Sequence, residues 1–447
     1  MDRRLALVVA LALATSIASA AIHYPPLALG KKLGDFGIQY SDIVYGVFMD
    51  RFSPNLPLNP EKLYRKWFSP SKLLALLSGK PLCPAPYVDY FFEYPPIVGG
   101  LWYLTTCVAI RASFGSGVEP LLAREAIEKA ASENFLMQAA AIAIAFAFLA
   151  AYTYRLVVSC GASWKRALLI SFLPSSVMYV AYNWDAIASA FSVASVYEFS
   201  RGKFLRSGIL VGLSIATKLL AYSLAIAMLY ELAQRAFKEG STRELREFAL
   251  GLIIGCGIPF LALAAAAPQG FSEMVQHYAS WYCENCIYLP ILKNPAAPSL
   301  HVVALVTMVL ALSLALCPSM RECRCTAQAA FLALCASTLF NYVFAPQMWL
   351  NLAPLAIAIL SPKLLKLFIV ADSLNAGIML TFFKDVDIKA LLLPYVPGLS
   401  LKFDPWSLSS PVQWVAMSRN VIALIIWLCV LASALNSCRE EARVEEV

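Results

Sequence analysis

Apolar residues along this chain are gathered into runs of roughly 17 to 22, a length whose helix crosses about 30 Å of hydrocarbon, and the runs end at Lys, Arg, Pro or Gly. A first run occupies residues 1–22; further spans are predicted near residues 96–112, 134–154, 167–182, 186–200, 207–217, 219–234, 248–267, 300–317, 326–344, 348–361, 364–382 and 419–436. Several are short, so the pattern predicts about 11 to 13 crossings. The expected fold class is an all-α polytopic membrane protein.

Residues 1–22 carry Arg3 and Arg4, an apolar stretch and then Ser19-Ala20-Ala21, a pattern that fits a retained first helix or a cleavable secretory signal. Both send the next segment outward, and the retained helix is the reading taken. From about residue 23 to 95 the chain is polar, aromatic and Pro-rich, with helical periodicity near Ile43–Phe52 and Glu61–Leu77 but no run long enough to span. A structured external loop is expected there. Neither a soluble domain nor a short-period repeat interrupts the pattern, so residues 1–447 read as one membrane domain with a charged cytoplasmic tail at about 438–447.

The charge pattern orients the spans. Basic loops at 235–246, 321–324 and 363–366 all fall inside when the N-terminus is inside. One stretch breaks the parity: two crossings between Pro96 and Arg155 would put Arg155, Lys165 and Arg166 outside. A re-entrant or interfacial piece is therefore expected there, with residues 113–134 the suspect.

Composition agrees with a bilayer as solvent, since 60% of the 447 residues are hydrophobic and only 14% charged. The net charge of +7 is accounted for by short basic loops and gives no reason to expect nucleic acid. Most of the 12 cysteines are scattered through apolar segments as small buried hydrophobes. Cys283 and Cys286 form a CxxC that is open between a disulfide and free thiols, and Cys323 and Cys325 form a CxC; without a second pair at ligand spacing, no metal is expected.

Uncommon polar residues near the span ends then fall on one side: Asp42, Glu93, Asn183, Asp185, Lys218, His277, Glu284 and Gln347. Ionisable groups at such depth persist mainly where they line a wet cavity or pair with one another. Each also has a plain structural reading. Asp42 opens a helical stretch and could cap it; Lys218 could snorkel from a span end; His277 could be a loop histidine and Gln347 a cap. Aromatic residues at 87–94 and 278–288 fit either sugar stacking or an interfacial belt.

Taken in order, Asp42-x-x-Tyr45 after the first span, Pro86-Tyr87, Tyr94-Pro95-Pro96 entering the next span, Asn183-Trp184-Asp185, Thr217-Lys218, His277 with Trp281 and Glu284-Asn285, and Ala345-Pro346-Gln347 form a series. This series resembles GT-C integral membrane glycosyltransferases, in particular the polyprenyl-phosphate-mannose-dependent mannosyltransferases of the phosphatidylinositol-mannoside and GPI type. Ala345 and Met348 replace the family's usual Ser and Tyr around Pro-Gln, and the interval from Asp42 to Tyr94 is longer than usual.

The resemblance implies a GT-C-like bundle, a polyprenyl-phosphate sugar donor, a lipid or glycan acceptor, and Asp42 as general base; no cofactor is expected. Asp50, Asp89 and Glu93 are rival carboxylates in the same loop, but none heads the Asp-x-x-Tyr match. A carboxylate in a partly desolvated cavity is suited to take the acceptor's proton, and a single base implies inversion at the anomeric carbon. Lys218 and His277, with Arg51 behind them, are the candidates to meet the leaving phosphate; Glu93, Tyr94, Asn183, Asp185, Glu284 and Gln347 complete the expected substrate-binding set. Two readings from other classes remain beside it: a transporter or flippase for lipid-linked or small polar substrates, and a noncatalytic assembly subunit. Transporters usually show half-chain repeats and mid-span polar residues, which this sequence does not display.

Overall fold

A computed structural model describes residues 2–25, 37–53, 66–316 and 323–445, with side chains to 436 in the last stretch except that of Cys323. The first part of the periodicity expected over Glu61–Leu77, much of the basic loop at 321–324, the CxC side chain of Cys323 and the side chains of the 438–447 tail lie outside the described residues. The described chain is helical, and its elements are α1 (Arg3–His23), α2 (Pro96–Phe114), α3 (Ala123–Ser159), α4 (Asp185–Ser200), α5 (Phe204–Thr217), α6 (Tyr222–Glu239), α7 (Arg243–Ala266), α8 (Pro268–Ser280), α9 (Leu300–Ala315), α10 (Cys323–Leu339), α11 (Ala353–Ile359), α12 (Pro362–Phe383) and α13 (Pro411–Glu445). Proline opens several of them, including α2, α8, α12 and α13, where its missing N–H would have had no helical partner anyway.

Among the described residues, six helices are long and apolar enough to cross a membrane: α1, α2, α3, α7, α12 and Pro411–Asn436 of α13. The protein is thus a helical membrane protein. Other passages between the two ends are made by shorter helices such as α5 and α9, or by broken pieces. The expected span at 167–182 is a 3-10 turn (Trp164–Leu168) followed by Leu169–Phe172 and Pro174–Tyr179. The expected span at 348–361 is a 3-10 turn (Pro346–Asn351) followed by α11.

α3 shows which end holds Arg155. Its 37 residues make a rod of about 55 Å, well beyond the hydrocarbon thickness. Tyr154, near its C-terminus, reaches Asp2 at 2.5 Å, whereas Phe135 stacks edgewise on Tyr24 just past α1. Arg155 therefore shares an end with Arg3 and Arg4; Arg4 also sits over the Trp164 ring, beside Lys165 and Arg166. This is the basic end of the bundle. The first third of α3 overhangs the far end, and α2 packs on that overhang through Thr106 to Asn134, Gln138 to Thr105 and Ser113 to Glu133. A Cys83–Cys107 disulfide ties the middle of α2 to the preceding loop. By length and composition α2 qualifies as a span, and its partners on α3, from Glu133 to Gln138, lie around the level of Tyr24.

Interhelical packing uses small residues. Gly208 and Gly212 on α5 face Gly251 and Gly255 on α7, and a Cβ on any of them would meet the opposing backbone. Within α7 a π-turn at Ile253–Gly257 precedes Pro259 and absorbs the hydrogen bond that proline cannot make. Serine pairs Ser192–Ser214, Ser195–Ser207 and Ser223–Ser337 link neighbouring helices at 2.8–3.0 Å.

Candidate functional site

The far end gathers segments that are distant in sequence. Asp42 begins a π-helical turn, Asp42–Phe48, but it does not cap it: Ser41 does, its Oγ accepting from the Val44 amide at 3.3 Å. The capping reading of Asp42 is overturned, and its carboxylate is free for other partners. Its backbone amide donates to the Tyr182 carbonyl at 3.1 Å, and its Oδ2 accepts from Asn183 Nδ2 at 2.6 Å. The Tyr40 hydroxyl bonds the same carboxylate. Gly46, one turn on, leaves room for this pair, since a Cβ there would sit 3.1 Å from the Tyr40 hydroxyl and 3.3 Å from Asp42 Oδ1.

Asn183 also reaches the Tyr94 hydroxyl at 3.4 Å, and the Tyr94 ring packs edgewise on Trp184 with centroids 4.6 Å apart. Trp184 is fixed from below: its indole N–H donates to Gln138 of α3 at 2.8 Å, and Gln138 donates to Thr105 of α2 at 2.7 Å. Asp185 is the first residue of α4, where the helix N-terminus favours a negative charge. Lys218 closes α5 and points inward, with Nζ 3.2 Å from Asp185 Oδ2 and 4.5 Å above the Tyr94 ring. The snorkelling reading of Lys218 does not hold.

Burial sorts this cluster into floor and wall. Asn183, Trp184 and Asp185 are buried, while Asp42, Tyr94, Tyr182, Lys218 and Glu284 keep partly accessible surface. The Asp42 carboxylate thus lies deep among protein atoms yet keeps some accessible surface. Burial pushes the Asp42 carboxyl up to about 7; Lys218 opposes that rise, Glu284 and Asp185 add to it, and the Asn183 hydrogen bond works against it. Glu284 is raised too, chiefly by burial, against the Trp281 hydrogen bond and the charges of Lys218 and Arg419. Burial, with Asp42 and Glu93 beside it, raises the Tyr94 phenol and keeps it a neutral donor.

The remaining candidates fall on adjoining ground. Glu284 accepts from Trp281 at 3.1 Å and is threaded against Val343 by two backbone bonds. His277 packs on Trp281 and Phe91, and burial lowers its pKa with Arg51 and Lys66 acting in the same direction, against Glu93. At neutral pH His277 is thus a hydrogen-bonding group rather than a cation. Arg51 is a correction: it is buried, and its donors go to Asp50, to Glu93 at 2.5 Å and to the Phe91 carbonyl at 2.9 Å, so it holds the loop and is not open to a phosphate. The rival Asp89 is likewise taken, by Lys72 at 2.8 Å and the Ala85 amide at 2.8 Å.

Gln347 is buried in the turn Pro346–Asn351, and that turn touches the cluster through Asn351, whose Nδ2 lies 3.5 Å from Asp185. Tyr40, Tyr182 and Arg419 were not signalled by the sequence as part of this region. The Cys283–Cys286 pair forms a disulfide around Glu284. A separate, largely apolar cavity of about 480 Å³ opens between the ends of α1 and α12, at Ala21, Ile22, Leu380 and Lys384, and holds none of the candidate residues.

No protein-family model matches the chain, and no curated protein matches it in sequence.

Proposed function

We propose that the protein is a GT-C-type glycosyltransferase that moves a hexose, with mannose the expected sugar, from a polyprenyl-phosphate donor to a lipid or glycan acceptor on the extracytoplasmic face. The observation that carries this reading is the convergence of Asp42, Tyr94, Asn183, Asp185 and Lys218 in one contact cluster at the far end of the bundle, around a carboxyl raised to about 7. On this reading the six long helices and the shorter, broken passages make up a GT-C-like bundle. Two observations support an outward-facing site: Arg3, Arg4, Arg155, Lys165 and Arg166 share the opposite end, and the two disulfides among the described residues, Cys83–Cys107 and Cys283–Cys286, lie at the far end, where an oxidising compartment would form them.

In the reaction, Asp42 takes the proton from the acceptor hydroxyl as that oxygen attacks the anomeric carbon. The carbon–oxygen bond to the lipid phosphate breaks, and the phosphate leaves with the electron pair. Inversion follows from a single displacement. Lys218 meets the developing phosphate charge, its value heightened by the low dielectric around Tyr94. Asn183 holds the base in place. The polar groups sit at the mouth of the bundle rather than at mid-span, which favours chemistry on a delivered substrate over passage through the membrane.

The test is transfer of radiolabelled sugar from a synthetic polyprenyl-phosphate mannose to membrane acceptors by the purified protein. Asp42→Asn is expected to lower kcat by about 10²–10⁴-fold. Undiminished transfer by that variant rules out the assigned base, and absence of transfer from polyprenyl-phosphate sugars by the wild type rules out the activity.

A further inference from the structure

α13 carries an arginine inside a stretch apolar enough to span, and Arg419 is wholly buried. Charges in that setting persist where they are paired or where their geometry is used. The partners of Arg419 are neutral. Nη1 donates to Asn375 Oδ1 of α12 at 2.7 Å, and Nη2 donates to the Phe344 carbonyl at 3.0 Å and the Asn285 carbonyl at 3.4 Å. Nε and Nη2 both reach Asn420 Oδ1, at 3.0 and 2.9 Å, and the guanidinium lies 3.6 Å from the Phe344 ring centroid.

All of this converges on one turn. Asn285 adopts a left-handed backbone with φ 54°, which a non-glycine residue keeps only when its surroundings hold it. Asn420 Nδ2 donates to the same Asn285 carbonyl at 2.9 Å, and Gln413 donates to the Asn285 side-chain oxygen at 3.1 Å. The Cys283–Cys286 disulfide closes the turn from the other side. Glu284 sits within it, its amide donating to Tyr342 at 3.0 Å and its carbonyl accepting from Phe344 at 2.8 Å.

The geometry points to Arg419 as a positioning residue: its planar fork clips the Asn285 turn to Phe344 and Asn375, and so fixes both Glu284 and the entry to the Gln347 turn beside the Asp42 cluster. A lysine in its place keeps a charge but offers its donors from a single nitrogen, and so loses the planar fork whose three nitrogens reach Asn375, Asn420 and the Phe344 and Asn285 carbonyls. The effect on catalysis rests on the proposed sugar transfer; the effect on loop order does not.

Hydrogen exchange read by mass spectrometry on the full chain in lipid nanodiscs separates the two. In Arg419→Lys, peptides covering 282–288 and 341–348 are expected to exchange about tenfold faster than in wild type or more, with peptides of α3 and α4 unchanged. In the transfer assay the same variant loses kcat while the KM for the polyprenyl-phosphate donor stays put. Unchanged exchange at both segments overturns the assignment, as does equal loosening throughout the bundle, and so does an unaltered kcat in a protein that transfers sugar. Should Arg419→Lys not fold, Asn420→Ala, which removes the bond to the Asn285 carbonyl and one acceptor of the fork, is read by the same criteria. If wild type transfers no sugar, the exchange pattern still decides the positioning role alone.

Discussion

At the scale of single residues, the state of Asp42 sets two outcomes that run in opposite directions. Its carboxyl stands at about 7 against an ordinary 3.8, chiefly through burial, so the folded protein binds one more proton than the unfolded chain between about pH 4 and 7. Stability from this group is therefore full below that window and falls as pH rises through it. Asp42→Asn, which carries no charge to desolvate, is expected to melt at a higher temperature than wild type at pH 8, with the gap narrowed at pH 5 and closed near pH 4; thermal unfolding in detergent across this range reads this directly. Activity runs the other way. A base must be ionised, so kcat/KM for sugar transfer should climb with pH up to about 7 and level off above it. A carboxylate already at its ordinary value would give neither the stability gap nor that rise. Asp42 could be singled out in the sequence because its motif and side agreed, but its release from capping could not, since Ser41 and Asp42 are equally good caps by type. Arg419 was hidden for a different reason. It stands at the edge of an apolar run, where a basic residue ordinarily marks the end of a span, and only the fold turns it toward Asn285.

Lys218 depends on where α5 ends, and that is set one level up, at the contact between helices. The glycines 208 and 212 of α5 approach 251 and 255 of α7 so closely that a methyl group at any of them would press on backbone atoms, which cannot step aside as a side chain can. Gly255→Ala is accordingly expected to lower stability by about 1–3 kcal/mol and to part α5 from α7, drawing Lys218 from Asp185. Gly257→Ala, where the nearest atoms are those of the Ile253 side chain at 3.6 and 3.9 Å, is the matched control and should be close to neutral. Equal melting temperatures for the two variants would mean the approach is looser than described. The periodicity of the sequence found α5 and α7 but not their closeness, because hydropathy counts glycine as merely weakly apolar. It also placed the start of α3 too late: residues 123–133 are polar enough to read as loop, yet they continue the helix beyond α1 and carry α2.

The length of α3 bears on how the whole molecule lies, because it brings Arg155, Lys165 and Arg166 to the end that holds Arg3 and Arg4. On the orientation proposed above, the end that holds Arg3, Arg4, Arg155, Lys165 and Arg166 faces the cytoplasm, and the end that holds the Cys83–Cys107 and Cys283–Cys286 disulfides faces outward. Leu121, 90% exposed in the turn between α2 and α3, should face outward; Phe237, 93% exposed near the basic end of α6, should face the cytoplasm. With Leu121→Cys and Phe237→Cys made separately, a membrane-impermeant maleimide applied to intact cells is expected to modify position 121 at once and position 237 only after permeabilisation, the modified peptide being identified by mass spectrometry so that native cysteines do not confuse the result. The reverse pattern would put the Asp42 cluster in the cytoplasm, where nucleotide sugars are at hand and a lipid-phosphate donor loses its rationale. Modification of both positions in intact cells would instead mean that α3 fails to carry the chain across, and the parity that places Asp42, Asn183 and Lys218 on one face would fall with it.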